Sequence, residues 1–305
     1  MKLLITGASG LLGLNLALKA MASHEVTGVD RGSLGGVPFP ILEADLLAPE
    51  AVERALEQAA PDWVIHCAAI ADLEACEAGP DLARRTNAEL PGRIAAACCA
   101  RGISLVHIST DAVFDGHKDG PYTEQDGPNP LSVYARTKLE GEQAVLDAYP
   151  AAAVARVNFY GWSRSGRRSL AEFFFNHLSA GETVSGFTDV IFCPMLVTDL
   201  AHVLLSMLEW KLAGVYHATG PQAMSKYQFG VEIARKFGLR ESSITPKSVQ
   251  ASGLLAQRSN NLWLSTHRLS TALARPLPDF STGLEQFFQQ FRGGYPQKIR
   301  GFQQK

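Results

Sequence analysis

Three glycines, Gly7, Gly10 and Gly13, sit where the first apolar run (Lys2–Thr6) ends and the first helical pattern (Leu11–Met21) begins. A glycine at a strand end permits a tight turn, a second lets backbone approach closely, and a third lets the helix pack against the strand. The first amides of such a helix have no intrahelical partner and lie at the positive end of its dipole. Gly7, Gly10, Leu11, Leu12 and Gly13 are therefore read as a cradle for phosphate groups. A turn without a ligand can share the spacing. Its position at the head of a strand–helix alternation favours the cradle.

That alternation runs through the first half of the chain. Strands are expected at Val26–Asp30, Ile41–Ala44, Trp63–Ala69, Leu105–Ser109 and Ala152–Val157, with helices at Pro49–Ala60, Asn87–Ala100 and Leu131–Ala148. Alternating apolar runs and helical periods imply βαβ units and a doubly wound α/β (Rossmann) parallel sheet. After Gly161 the segments shorten and turn signals multiply, with helices expected at Ser169–Ser179, Asp199–Trp210 and Lys226–Phe237. The reading divides the chain into a dinucleotide-binding part, 1–160 plus about 182–208, and a smaller mixed α/β substrate-binding lobe at the C-terminal side, about 161–181 plus 209–305. The polar tail from Gly293 is expected to be loosely held.

Asp30 ends the second strand. A carboxylate there accepts the ribose hydroxyls of NAD and repels the 2′-phosphate of NADP, whereas Arg31 beside it can pair with such a phosphate. The cofactor is thus read as NAD or NADP, with Asp30 favouring NAD. Tyr134 and Lys138 lie four apart in an expected helix and share a face. A phenol with a pKa near ~10 is a poor acid–base group at neutral pH, and a neighbouring ammonium is expected to bring it down. Ser109-Thr110-Asp111 closes the fifth strand, at the end where doubly wound sheets bind ligands.

Together these residues resemble the extended short-chain dehydrogenase/reductase superfamily: Thr6–Gly13, His66-Cys67-Ala68-Ala69, Asn87, Ser109-Thr110-Asp111 and Tyr134/Lys138. More narrowly the chain is similar to the dTDP-4-dehydrorhamnose reductase subgroup. That likeness is carried by residues 109–116 (Ser-Thr-Asp-Ala-Val-Phe-Asp-Gly), 121–124 (Pro-Tyr-Thr-Glu) and 130–142, and later by Gly214–His217, Tyr227 and Arg258–Leu264. The resemblance implies an NAD(P)H-dependent reductase of a nucleotide-activated 4-keto sugar. Tyr134 would protonate the C4 oxygen, Lys138 would lower its pKa and hold the nicotinamide ribose, and Thr110 with Ser109 would donate to the same oxygen. Asp45 and Leu46 would hold adenine, Ala68 and Ala69 would line the cofactor channel, and Asn158, Phe159, Arg258 and Asn261 would meet the substrate. Two other readings share these residues: a sugar-nucleotide epimerase or dehydratase, and a non-catalytic regulatory protein like the β-subunit of methionine adenosyltransferase. The chain departs from the subgroup at Ala112, where a tyrosine is usual, and at Ser259, where a proline is; Ala112 also argues against a dehydratase, which places a glutamate there. The sugar is left open.

Composition narrows the partners. A formal net charge of −2 with 19% charged residues supplies no basic field for nucleic acid or an anionic membrane. No apolar run reaches the roughly 18 residues of a membrane span, and the N-terminal run reads as a strand rather than a signal peptide. Five cysteines without a CxxC pair read as reduced, cytoplasmic usage, with Cys98 and Cys99 in a helix core. His66, His107 and His217 read as packed strand residues, and no spacing calls for a metal. Phe173-Phe174-Phe175 reads as a buried helix face, or else as packing in a homodimer.

Overall fold

The computed structural model describes residues 1–251 and 257–304. Its centre is a seven-stranded sheet built from Lys2–Thr6 (β1), Glu25–Asp30 (β2), Ile41–Glu43 (β3), Trp63–His66 (β4), Ser104–Thr110 (β5), Ala153–Val157 (β6) and Gly214–Ala218 (β7). The order is β7-β6-β5-β4-β1-β2-β3, and every neighbouring pair is parallel. The doubly wound α/β sheet expected from the alternation is what forms.

Alternate residues of each strand serve opposite layers, as a period of two requires. Leu3 and Ile5 of β1, with Ile65 and Val106, pack beneath Leu11–Ala20 (α1) and Val197–Glu209. Leu4, Val64, Leu105 and Val154 face the other layer. That layer comprises Ala51–Ala59 (α2), Leu90–Arg101 (α3) and Val133–Ala148 (α4). Cover on both faces explains why β1 reads as a continuous apolar run. The register sets His66 beside both Thr6 and His107, and Thr110 beside Val157. The strand carboxyl ends therefore meet at one crest.

Outside the sheet, Leu170–Ser179 (α5), Lys226–Phe237 and Phe280–Arg292 pack around an aromatic cluster. Trp162 stacks on Phe287 at 4.1 Å between ring centroids and donates from its indole nitrogen to the Phe287 carbonyl. Among the described residues no helix is long and apolar enough to cross a membrane.

Several expectations change. Gly214–Ala218, assigned to the second lobe, is the seventh strand of the sheet. Val184–Phe187 and Ile191–Phe192, assigned to the dinucleotide-binding part, join no strand of the central sheet and pair with Ile244–Lys247 and with Met224–Ser225 and Asn261–Leu262. The tail is anchored: Ile299 and Phe302 are buried, and the Tyr295 hydroxyl donates to Asn15 at 2.8 Å. Phe174 is buried but Phe173 is exposed, because successive helical residues are about 100° apart and three in a row cannot share a face. Cys98 is buried whereas Cys99 is exposed, for the same reason. Asp199 lies inside the first turn of its helix, which Leu196 caps.

Candidate functional site

Two clefts open along the crest of the sheet. The first, about 300 Å³, lies between the glycine loop, the ends of β2 and β4 and the segment Ser163–Arg168. Gly7 has φ +66°, and a Cβ there would lie 2.9 Å from the Ala68 backbone. A Cβ on Gly13 would lie 2.2 Å from the Gly7 carbonyl oxygen, so this glycine sets how closely α1 approaches the loop. Gly13→Ala is expected to destabilise the fold by about 1–3 kcal/mol through this overpacking, read as a lowered thermal midpoint. An unchanged midpoint would show that the loop moves aside freely.

The residues fit a phosphate-bearing ligand. Gly10 is the N-cap of α1 and no side chain caps the helix, so its first-turn amides remain available to the cleft. Gly7, Gly10 and Leu11 line the cleft, together with Asp30, Arg31, Asp45, Leu46, Ala68 and Ala69. Leu12 and Gly13 do not: both are buried against the core, and Gly13 acts through packing. The Asp30 carboxylate accepts from the Ser9 and Arg31 amides, each at 2.8 Å, which ties the glycine loop to the end of β2.

The second cleft, about 230 Å³, is lined by Thr110, Asp111, Tyr134, Asn158, Lys226 and Arg258 among others. Ser132 caps α4 by accepting from the Ala135 amide, and Tyr134 follows in the first turn, where its phenol faces the cleft near the Thr110 hydroxyl. Burial, with Asp111 acting in the same direction, pushes that phenol up to about 12. Asp111 itself is pushed up to about 6 by burial, against hydrogen bonds from Asn158 (2.5 Å) and Thr110 (3.2 Å). Burial and the neighbouring Arg258 bring the Lys226 ammonium down to about 8.

Lys138 lies beneath Tyr134 on α4 and is 2% exposed. Its ammonium donates to the Ile108 carbonyl at 2.6 Å and lies 3.4 Å from His107 Nε2. Burial brings it down to about 8. The expected depression of the Tyr134 phenol by Lys138 is therefore not what this arrangement gives: burial dominates, and the phenol keeps its proton. His107 and His66 stack at 5.3 Å, both fully buried, and burial holds both well below the usual imidazole range. They are packed strand residues as expected.

Three expected site residues have other partners. Ser109 points to the opposite side of β5 from Thr110, as alternation dictates, and donates to Glu142 Oε1 at 2.5 Å. Glu142 in turn forms a buried ion pair with Arg156. Asn261 donates to the Lys118 and Gly120 carbonyls at 2.7 and 2.8 Å, holding a loop rather than lining a cleft. Phe159 lines neither cleft; with Tyr160 it forms a short strand against Met195–Leu196.

Residues given no role of their own from the sequence complete the site: Asp111, quoted only within Ser109-Thr110-Asp111, and Lys226 in the second cleft, Arg164 and Arg168 in the first. Lys226 carried a signal. It is the first residue of a helix capped by Ser225 and Gln228, a position where the helix dipole disfavours a cation.

Comparison with known proteins places this geometry. The RmlD substrate binding domain family matches residues 1–292. A probable low-salt glycan biosynthesis reductase of Haloferax volcanii is 35% identical over 79% of this chain and 83% of its own. Methionine adenosyltransferase 2 subunit beta of Mus musculus is 32% identical over 93% of this chain and 86% of its own. The structure of dTDP-4-dehydrorhamnose reductase from Bacillus anthracis in complex with NADP superposes with a TM-score of 0.86 at 26% identity, covering 95% of this chain and all of that one. A family match over nearly the whole chain, relatives above 30% identity and a superposition along its whole length agree, and the chain belongs to the RmlD substrate-binding domain family of the extended short-chain dehydrogenase/reductases.

Proposed function

We propose that the protein is an NAD(P)H-dependent reductase of a nucleotide-activated 4-keto sugar. The observation that carries this reading is the second cleft, which joins a protonated phenol to two cations. Tyr134 and Thr110 line it together with Lys226 and Arg258. Burial keeps this phenol protonated throughout the neutral range, so it has a proton to give, and an alkoxide forming at the carbonyl oxygen is basic enough to take it. Thr110 stabilises the same oxygen, where a positioned donor is worth most. Lys226 and Arg258 present positive charge that suits the diphosphate of a sugar nucleotide. Asn158, which donates to Asp111 and lines the same cleft, would meet the sugar.

The first cleft would hold the dinucleotide through the glycine loop, Asp30 or Arg31, Asp45, Leu46, Ala68 and Ala69. When bound, the nicotinamide supplies the hydride. Asp30 supports NAD and Arg31 supports NADP, and both line the cleft. The test is a panel of dTDP-, UDP-, GDP- and CDP-linked 4-keto sugars scored by NADH and NADPH oxidation. Net oxidation with at least one of them is expected. Conversion of a sugar nucleotide without net oxidation would make the protein an epimerase or dehydratase instead.

The similarity to the methionine adenosyltransferase subunit supports a second reading, a dinucleotide-binding regulatory partner. No turnover on the panel, with stable co-purification of an adenosyltransferase, would favour it.

A further inference from the structure

The segment Trp162–Ser169 passes over the N-terminal end of α1 and is held there by hydrogen bonds. Asn15 of α1 donates from Nδ2 to the Trp162 carbonyl at 3.0 Å. Glu172, fully buried on α5, accepts from the Ser163 amide (2.7 Å), the Ser163 hydroxyl (2.6 Å), the Arg168 amide (2.9 Å) and the Ser169 amide (3.3 Å). Asn176 donates to the Gly166 carbonyl at 2.6 Å. The conformation of this segment is thus set by a buried carboxylate whose oxygens are taken up by amides and a hydroxyl.

The consequence is that Glu172 neutralises neither arginine of the segment that faces the cleft. Among the described residues, no ion pair or side-chain hydrogen bond engages the guanidinium of Arg164 or Arg168. Arg168 is exposed at the rim, but the Nε–H of Arg164 is buried and has no acceptor. A buried donor without an acceptor is costly, by about 1–3 kcal/mol, and such groups are few in folded proteins. Here the orphaned donor belongs to a side chain that lines the same cleft as Gly10 and Leu11, whose own helix end has no capping side chain. Uncapped amides from one wall and an unpaired guanidinium from the other are complementary to one anionic group between them.

We propose that Arg164 is a diphosphate clamp, hydrogen-bonding the diphosphate of the bound dinucleotide from the wall opposite the glycine loop. The proposal deepens the reductase reading and rests on its dinucleotide. It assigns the diphosphate rather than a 2′-phosphate because Arg31, beside Asp30 at the end of β2, already serves the ribose. The planar fork of a guanidinium can engage two phosphate oxygens at once, which a lysine cannot reproduce.

The test is equilibrium binding of NADH, and of ADP, 2′,5′-ADP and adenosine in competition with it, to the wild-type chain, Arg164→Gln, Arg164→Lys and the exposed control Arg167→Ala. Loss of a charge-assisted hydrogen bond is expected to weaken NADH and ADP by about ten- to a hundredfold in Arg164→Gln. Adenosine, which lacks the diphosphate, should bind as to wild type, Arg164→Lys should recover part of the loss, and Arg167→Ala should match wild type. Unchanged ADP binding in Arg164→Gln would overturn the clamp, as would an equal loss of adenosine, which reports collapse of the segment. A loss confined to 2′,5′-ADP would move Arg164 to the ribose phosphate and also overturn it. If Arg164→Gln does not fold, the ratio of ADP to adenosine affinity in Arg164→Lys decides by the same criteria. Failure of the wild-type chain to bind either NADH or NADPH would instead bring down the dinucleotide reading itself.

Discussion

Tyr134→Phe is expected to lower turnover of the best 4-keto sugar nucleotide by about 10²–10⁴-fold, the contribution of a positioned general acid, while dinucleotide affinity is unchanged. The phenol holds its proton at every pH near neutrality, since burial places it near 12. Phenylalanine keeps the ring, so the packing at the first turn of α4 survives; only the donor and its link to Thr110 are removed. Asp111, at about 6, is mostly ionised at neutral pH and cannot take over as donor. Lys138 adds a pH dependence of definite sign. Its ammonium, brought down to about 8 by burial, loses its proton as pH rises through that value. Lys138 lines neither cleft in this structure; with its ammonium on the nicotinamide ribose, as the resemblance implies, rate and dinucleotide affinity should both fall on the alkaline side of about pH 8, and Lys138→Met should impair both at neutral pH. Steady-state NAD(P)H oxidation and dinucleotide titration from pH 6 to 10 measure these effects. A Tyr134→Phe variant as fast as wild type would remove Tyr134 from the mechanism.

The parts of this site that were legible in the sequence are those whose residues are close together along the chain. The glycine loop is one turn between β1 and α1, and Tyr134 and Lys138 share one helical face. Six of the seven strands were legible because each is mostly an apolar run next to a helical period, whereas Gly214–Ala218 was assigned to the other lobe. Misreadings arose where contacts are long-range. Ser109 and Thr110 are adjacent, and nothing in their order says which faces the crest; the buried partners Glu142 and Arg156, on α4 and β6, decide it. Asn261 looked like a substrate residue, but it folds back on a loop more than a hundred residues earlier. Lys226 and Arg164 join the clefts from segments whose short strands are mostly two residues long, too brief to show any period. The tail was misjudged because Ile299 and Phe302 are isolated apolar residues among polar ones, and two such residues suffice to anchor it.

Glu142→Ala is expected to destabilise the fold by about 3–5 kcal/mol, the cost of leaving a buried charge without its partner. Glu142 and Arg156 are 3% and 4% exposed, and the pair is bidentate, with Nε to Oε1 at 2.9 Å and Nη2 to Oε2 at 2.7 Å. Arg156 also lies 5.1 Å above the Phe114 ring, and its Nη1 already lacks a partner, so little remains to compensate it. Ser109→Ala should cost only about 1 kcal/mol, because Glu142 keeps its guanidinium. Replacing both charges, as Glu142→Leu with Arg156→Met, should recover much of the loss, since a buried ion pair is often no more stable than apolar residues of similar volume. The three residues come from β5, α4 and β6, and Glu142 lies one turn beyond Lys138. The ion pair thus fixes how α4 seats on the sheet, and with it the reach of Tyr134 to Thr110. Denaturant unfolding of the three variants and the wild type measures the energies. If Glu142→Ala unfolded at the wild-type midpoint, the pair would not be holding α4, and the alignment of Tyr134 with Thr110 would have to come from the apolar layer beneath the helix.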